Sequence, residues 1–84
     1  MSEDIKKFFQ AKDNLESVST IVFMMAKNNF GVELDGKFTP ILFKVMEDVF
    51  TKFGKKPTKI SAENHIKNLN KLVIDDCLKW VQQN

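Results

Sequence analysis

The chain has 84 residues, 43% of them hydrophobic, including eight phenylalanines and one tryptophan. This is the length of a single domain, and the apolar content is enough for a packed core, which excludes an intrinsically disordered chain. The formal net charge is +2, and a single cysteine allows no intrachain disulfide, which indicates a reducing compartment. We expect one helical domain that spans residues 1–84.

The N-terminal segment MSEDIKKFFQ lacks the basic start and the apolar core of a signal peptide. No apolar run approaches the ~18 residues that a membrane-spanning helix needs, so we expect no interaction with a membrane. These features predict an intracellular, cytoplasmic protein, with the nucleus and a virion as the alternative locations.

Two helices are predicted before residue 30. Ser2 can cap the first helix, whose apolar face comprises Ile5, Phe8 and Phe9. Asp13 and Glu16 have the spacing of a capping box, which predicts a break near residues 12–14 and the start of a second helix. One continuous helix from Ser2 to Asn28 is the alternative.

A short hairpin-like loop is predicted at residues 30–38. Asp35-Gly36 lies between two short runs that contain apolar residues. Asp-Gly favours a type I′ turn, because that turn needs a positive φ at both central positions. The arms are very short, so an ordered irregular loop is the alternative.

Thr39–Phe53, TPILFKVMEDVFTKF, is predicted to be the central helix of a bundle of three to four helices. Thr39 can serve as the N-cap, Pro40 suits the first helical position, and Gly54 is the expected C-cap residue. Apolar residues cover roughly half of the circumference of this helix, whereas a surface helix needs a stripe only ~100° wide. We therefore expect other helices to cover it from two sides.

Ser61 is predicted to cap a last helix that begins at Ala62 and ends near Gln82. Besides its main apolar stripe, this helix has a second apolar face, ~60–100° away, formed by Ile74, Leu78 and Val81. Either the first helix covers that face or it forms an oligomer contact. Together with an edge of the central helix, the candidate partner interface comprises Phe43, Phe50, Ile74, Leu78 and Val81.

No motif for catalysis or metal binding is found. His65 and Cys77 are the one histidine and the one cysteine, and twelve residues of helix separate them by about 18 Å, too far for a catalytic dyad. Neither has companions at zinc-ligand spacing, and a glycine-rich phosphate loop and a serine nucleophile elbow are missing. We predict a protein that is not an enzyme and has no catalytic residue, cofactor, metal site or small-molecule substrate.

Positive charge is concentrated in residues 51–71, which hold one acidic residue and six lysines: Lys52, Lys55, Lys56, Lys59, Lys67 and Lys71. Lysines beside a helix N-terminus suit contacts with phosphate groups. Arginine, the commonest reader of guanine, is missing from the chain, so this segment would bind the nucleic-acid backbone. A solvated lysine-rich loop is the simpler interpretation.

The leading hypothesis is a non-catalytic helical module for protein–protein interaction or assembly, either self-associating, most simply as a homodimer, or a subunit of a larger complex. It is motivated by apolar residues in excess of what each helix needs for one buried face: Phe23, Met24, Phe43, Ile74, Leu78 and Val81. The alternative is a nucleic-acid-binding module that uses the lysines of residues 52–71.

Overall fold

Three α-helices and a short 3₁₀ turn make up the part of the chain that the computed structural model describes, residue 7 and residues 11–83. The helices are α1 (Lys12–Phe30), α2 (Thr39–Phe53) and α3 (Ala62–Gln83), and the 3₁₀ turn, Gly36–Phe38, directly precedes α2. No strand occurs within these residues. The chain is therefore a small all-α helical bundle, and the helix predicted to begin at Ser2 lies outside the described residues.

Helix α1 begins after a break at Ala11. The backbone of Ala11 is extended, with φ −59° and ψ 144°, so a continuous helix from Ser2 to Asn28 does not form. The predicted capping box is also wrong, because Asp13 lies inside the first helical turn instead of ahead of it. The Ala11 carbonyl already accepts a hydrogen bond from the Leu15 amide at 2.9 Å, which starts the helix earlier than the Asp13 pattern indicates.

Helix α1 ends in a left-handed glycine. Gly31 has φ 67° and ψ 21°, and its amide donates to the Lys27 carbonyl at 3.0 Å. The Gly31–Lys27 bond is that of the αL C-cap motif, and the Val32 amide also donates to the Ala26 carbonyl at 3.2 Å, which satisfies a further carbonyl of the last turns. This conformation is unfavourable for a residue with a Cβ, so glycine is needed at this position.

The hairpin predicted at residues 30–38 does not form. Among the described residues, Gly31 has the one positive φ, whereas a type I′ turn would need it at the Asp-Gly positions. The Asp35 carboxylate instead accepts a hydrogen bond from the Lys37 amide at 2.9 Å and caps the 3₁₀ turn. That turn carries Phe38 into the core, so the alternative prediction, an ordered irregular loop, describes this segment.

The two glycines of this connection are expected to respond differently to substitution. We expect Gly31→Ala to lower the free energy of unfolding by about 1 kcal/mol, because alanine is strained at this φ. Gly36→Ala is the matched control and should change it by less than about 0.5 kcal/mol, since open space surrounds a Cβ at both positions. Urea unfolding measures both, and a larger loss at Gly36 would argue for the hairpin.

Helix α2 is a continuation of the 3₁₀ turn. Phe38 already has helical backbone angles, and the Thr39 amide donates to the Gly36 carbonyl. Thr39 is therefore the first helical residue and not the predicted side-chain cap, and Pro40 is the second residue of the helix, one position later than predicted. Gly54 follows the helix as expected, but its φ of −69° is ordinary and does not require glycine.

Helix α3 starts as predicted. The Ser61 hydroxyl accepts a hydrogen bond from the Asn64 amide at 3.2 Å, which is the contact of a serine N-cap. The helix begins at Ala62 and continues to Gln83, one residue beyond the predicted end.

Helices α1 and α3 run parallel to each other. Asn14, in the first turn of α1, and Asn70, in the third turn of α3, exchange two side-chain hydrogen bonds, of 3.2 and 2.8 Å. Farther along, Phe23 of α1 and Trp80 of α3 both contact the Phe38 ring, with centroid separations of 6.1 and 5.3 Å. Asn14 of α1 is level with Asn70 of α3, and the later residue Phe23 of α1 is level with the later residue Trp80 of α3. The two helices therefore point in the same direction.

Helix α2 runs antiparallel to α3. Phe38, just before α2, contacts Trp80 near the end of α3, whereas Gly54, just after α2, is hydrogen-bonded to His65 in the first turns of α3. Helix α3 is the element that packs extensively against both other helices. The prediction that Thr39–Phe53 is central is not confirmed, since this helix packs against α3 and the 3₁₀ turn and leaves part of its broad apolar surface exposed.

The core takes residues from all three helices and from the 3₁₀ turn. Its buried apolar members are Val18, Val22, Ala26, Phe38, Leu42, Met46, Val49, Phe50, Ile66, Leu69, Val73, Cys77 and Val81. Among the described residues, this core fixes which side of each helix stays uncovered. The prediction that the first helix covers the second apolar face of the last helix lies outside the described residues.

Candidate interaction surface

The five residues predicted to form a partner interface do not lie on one exposed surface. Phe50 and Val81 are only 5% and 7% exposed and belong to the core, so they offer almost no surface to a partner. Phe43 is exposed on α2, and Ile74 and Leu78 are half-buried on α3, where they pack against the core. Periodicity placed Phe50 at an edge of the apolar surface of its helix and Val81 on a second apolar face, but it could not show that other elements cover them.

Two exposed apolar side chains lie along one edge of α1. Ile21 and Met24 are 42% and 57% exposed. Ile21 lies seven residues after Asn14, about two turns farther on the same side of the helix, and Met24 lies one turn beyond. Since the Asn14 side chain is part-buried at the contact with α3, these two residues follow the rim of the α1–α3 contact and point away from the core.

Helix α3 supplies the other half of this surface. Ile74 and Leu78 lie one and two turns after Asn70, the hydrogen-bonding partner of Asn14. Because α1 and α3 are parallel, Ile74 and Leu78 lie at about the same level along the bundle as Ile21, which follows Asn14 by seven residues. We name this side of the two helices, turned away from α2, the α1–α3 face, and its apolar half comprises Ile21, Met24, Ile74 and Leu78.

Helix α2 leaves the α1–α3 face uncovered. It meets α3 on the side of His65, whose ring nitrogen Nε2 is 3.2 Å from the Gly54 carbonyl oxygen. His65 and Ile74 are nine residues apart, which at ~100° per residue places them on opposite sides of α3. The face is therefore turned away from α2.

Charged side chains flank the first half of the α1–α3 face. On α1, Asp13 and Glu16 line an open depression together with Ile21. On α3, Lys67 lies four residues before Lys71, and Lys71 lies three residues before Ile74. All three therefore lie on one side of the helix. The surface is thus acidic along α1, basic along α3, and apolar farther along both helices.

A second, basic surface is formed by the connection between α2 and α3. All six lysines singled out from the sequence are exposed: Lys52, Lys55, Lys56, Lys59, Lys67 and Lys71. Lys67 forms an exposed ion pair with Glu63 at 3.8 Å. Within the part of the chain that the structure describes, the other five have no acidic side chain at ion-pair distance.

His65 and Cys77 have structural positions inside the bundle. His65, 5% exposed, contacts the Gly54 carbonyl and so joins the start of α3 to the end of α2. No sequence pattern near His65 signals its burial. Cys77 is fully buried and packs as a small apolar residue of the core.

Burial, aided by the neighbouring Asp76 carboxylate, raises the pKa of the Cys77 thiol from 9.0 to about 12. The unfolded chain therefore loses this proton first, so the thiol's contribution to stability is full below pH 9 and is lost between pH 9 and 12. Above pH 9, we expect the folding equilibrium constant of the wild type to fall more steeply with pH than that of Cys77→Ala. The difference should reach at most a factor of ten for each pH unit. Urea unfolding from pH 8 to 11 measures this; parallel curves for the two proteins would contradict it.

Within the described residues, no group of three or more histidine, cysteine or acidic side chains is arranged to hold a metal ion. None of the helices described by the structure combines the length and the apolarity needed to cross a membrane.

Comparison of the chain with protein-family models, curated proteins and solved structures found no match in any of the three. The function must therefore be inferred from the chemistry of the two surfaces.

Proposed function

We propose that this protein is a non-catalytic helical module that assembles with protein partners, including further copies of itself, through the α1–α3 face. The observations that carry the proposal are the exposure of Ile21 and Met24 and the contact of Asn14 with Asn70, from which helical spacing puts half-buried Ile74 and Leu78 on the same side of the bundle. Single exposed apolar residues are ordinary, but a contiguous apolar patch with a polar rim is typical of an interaction site.

A homodimer is the simplest assembly of this kind. A two-fold axis allows one patch to bind the same patch on a second copy, and it needs no second type of chain. The short length of the chain supports this view, since a domain of this size buries only about 60% of its unfolded surface and gains stability from a covered face. A larger complex would use the same face for a different subunit.

Light scattering behind a sizing column tests the proposal over a range of protein concentrations. We expect a dimer that dissociates on dilution, and we expect Met24→Glu to shift it to the monomer, because a buried unpaired carboxylate opposes association. Phe43→Glu is the matched control, since Phe43 is 43% exposed on α2, away from the face. A monodisperse wild-type monomer at the highest concentration would overturn the proposal.

The second candidate is a nucleic-acid-binding module. It is favoured by the five exposed lysines that have no acidic partner among the described residues, three of which, Lys55, Lys56 and Lys59, lie in the loop before the N-terminus of α3. It predicts binding to DNA or RNA that weakens steeply as salt increases. Replacing Lys55, Lys56 and Lys59 with glutamate should abolish that binding without altering the oligomeric state of the protein. Unchanged binding would rule out this surface.

A further inference from the structure

We infer that a second copy of this chain covers the α1–α3 face with the two-fold axis parallel to the helices, so that α1 of each copy lies opposite α3 of the other. The inference rests on the proposed function and adds the arrangement of the two copies. Two independent features of the face, its division into polar and apolar halves and its distribution of charge, select this arrangement.

The first feature is that both helices change from polar to apolar in the same direction. Along the exposed edge of α3 the residues are, in order, Lys67, Lys71, Ile74 and Leu78. Along the exposed edge of α1 they are Asp13, Ser17, Ile21 and Met24. Because the two helices are parallel, both polar halves lie at one end of the face and both apolar halves at the other.

This division distinguishes the two possible two-fold axes. An axis that lies in the plane of the face but perpendicular to the helices would turn one copy upside down and press its lysines against the apolar half of the other, which would desolvate charges without pairing them. An axis parallel to the helices superimposes apolar half on apolar half and polar half on polar half. The hydrophobic contribution and the avoidance of buried charge both favour the parallel axis.

The second feature is that the same axis pairs opposite charges. It places Asp13 and Glu16 of one copy opposite Lys67 and Lys71 of the second copy, and it does so twice by symmetry. The heights match, since the hydrogen bonds between Asn14 and Asn70 set the register of the two helices. In that register both lysines lie within about one turn of Asp13.

These charges are weakly engaged within one chain. The pairs Lys12–Glu16, at 4.0 Å, and Glu63–Lys67, at 3.8 Å, join side chains that are each at least 64% exposed. Exposed pairs of this kind contribute little to stability, so a second copy can compete for them. Neither Asp13 nor Lys71 has an ion-pair partner among the described residues.

The size of the face sets the expected affinity. Two helices about 10 Å wide and ~25 Å long present roughly 500 Å² per copy, or roughly 1,000 Å² in a dimer. This is at the lower end of the range for specific interfaces, so we expect dissociation in the micromolar range. In such a weak dimer the loss of two sets of charge pairs is measurable.

A charge-swap experiment tests the arrangement by sedimentation velocity at low salt. The acid-reversed variant carries Asp13→Lys and Glu16→Lys, and the base-reversed variant carries Lys67→Glu and Lys71→Glu. Each alone should dimerise at least tenfold more weakly than the wild type, because like charges then face each other. An equal mixture of the two should form a heterodimer, and all four changes in one chain should restore the homodimer at the original net charge.

The matched control separates specific pairing from general attraction between oppositely charged proteins. The Lys55→Glu, Lys56→Glu variant has the same net charge as the base-reversed variant, but its changes lie in the loop before α3. It should keep wild-type dimerisation and should not rescue the acid-reversed variant. Equal rescue by this control would overturn the inference.

The remaining outcomes distinguish the inference from the proposed function. A wild-type dimer that neither reversal weakens would overturn this arrangement and leave the α1–α3 face as an assembly surface. A monomeric wild type would overturn both. All four side chains are exposed, so the variants should keep the helical circular dichroism of the wild type.

Discussion

Replacing Leu42 with alanine is expected to lower the free energy of unfolding by about 3 kcal/mol. Leu42 is 1% exposed, on the side of α2 that packs into the core, so the substitution removes buried methyl groups and leaves a cavity. A domain of this size has a total stability of roughly 4–12 kcal/mol, so the loss is a large fraction of the whole. Urea unfolding followed by circular dichroism measures it.

The neighbouring residue provides the control. Phe43 carries a larger side chain but is 43% exposed, so Phe43→Ala should lower the free energy of unfolding by less than about 1 kcal/mol. The two positions differ by ~100° around the helix, and the ratio of their effects therefore reports which side of α2 is buried. A larger loss at Phe43 would mean that α2 is rotated about its axis, with Phe43 and not Leu42 facing the core.

The second large effect is expected at His65. His65→Ala should lower the free energy of unfolding by about 2–3 kcal/mol, because it creates a cavity and leaves the buried Gly54 carbonyl without this hydrogen bond. The Nε2 atom must carry a proton to donate to that carbonyl. Thermal and urea unfolding of the variant measure the loss.

Glutamine tests whether the hydrogen bond, and not the bulk of the ring, accounts for the effect at His65. Its side-chain amide can donate to the Gly54 carbonyl, so His65→Gln should recover more than half of the stability lost in the alanine variant. His65→Leu fills the space without a donor and should recover less. If leucine proved as stable as the wild type, the contact with Gly54 would have no energetic importance.

Local chemistry was enough to predict several helix boundaries. The start of α3 follows from Ser61 alone, because a serine cap acts within one turn of the chain. The all-α class follows from the helical period of the apolar residues, which reports the side of each helix that avoids water. Pro40 in the first turn of α2 is likewise a short-range signal.

Where two local signals competed, sequence patterns were misleading. Asp35-Gly36 can form a type I′ turn, but the Asp35 carboxylate can also cap a 3₁₀ turn, and burial of Phe38 favours the second possibility. The capping-box spacing of Asp13 and Glu16 was similarly overridden, because the backbone of Ala11 starts the helix two residues earlier.

Helix formation, and the presence of more apolar residues than each helix can bury on one side, both follow from the order of the residues. Which of these apolar residues stay exposed depends on how the helices pack. Packing of α3 against both neighbours buries Phe50 and Val81 but leaves Met24 accessible. The physical reason is that helical periodicity depends on neighbouring residues, whereas burial depends on contacts such as that of Asn14 with Asn70, 56 residues away in the chain.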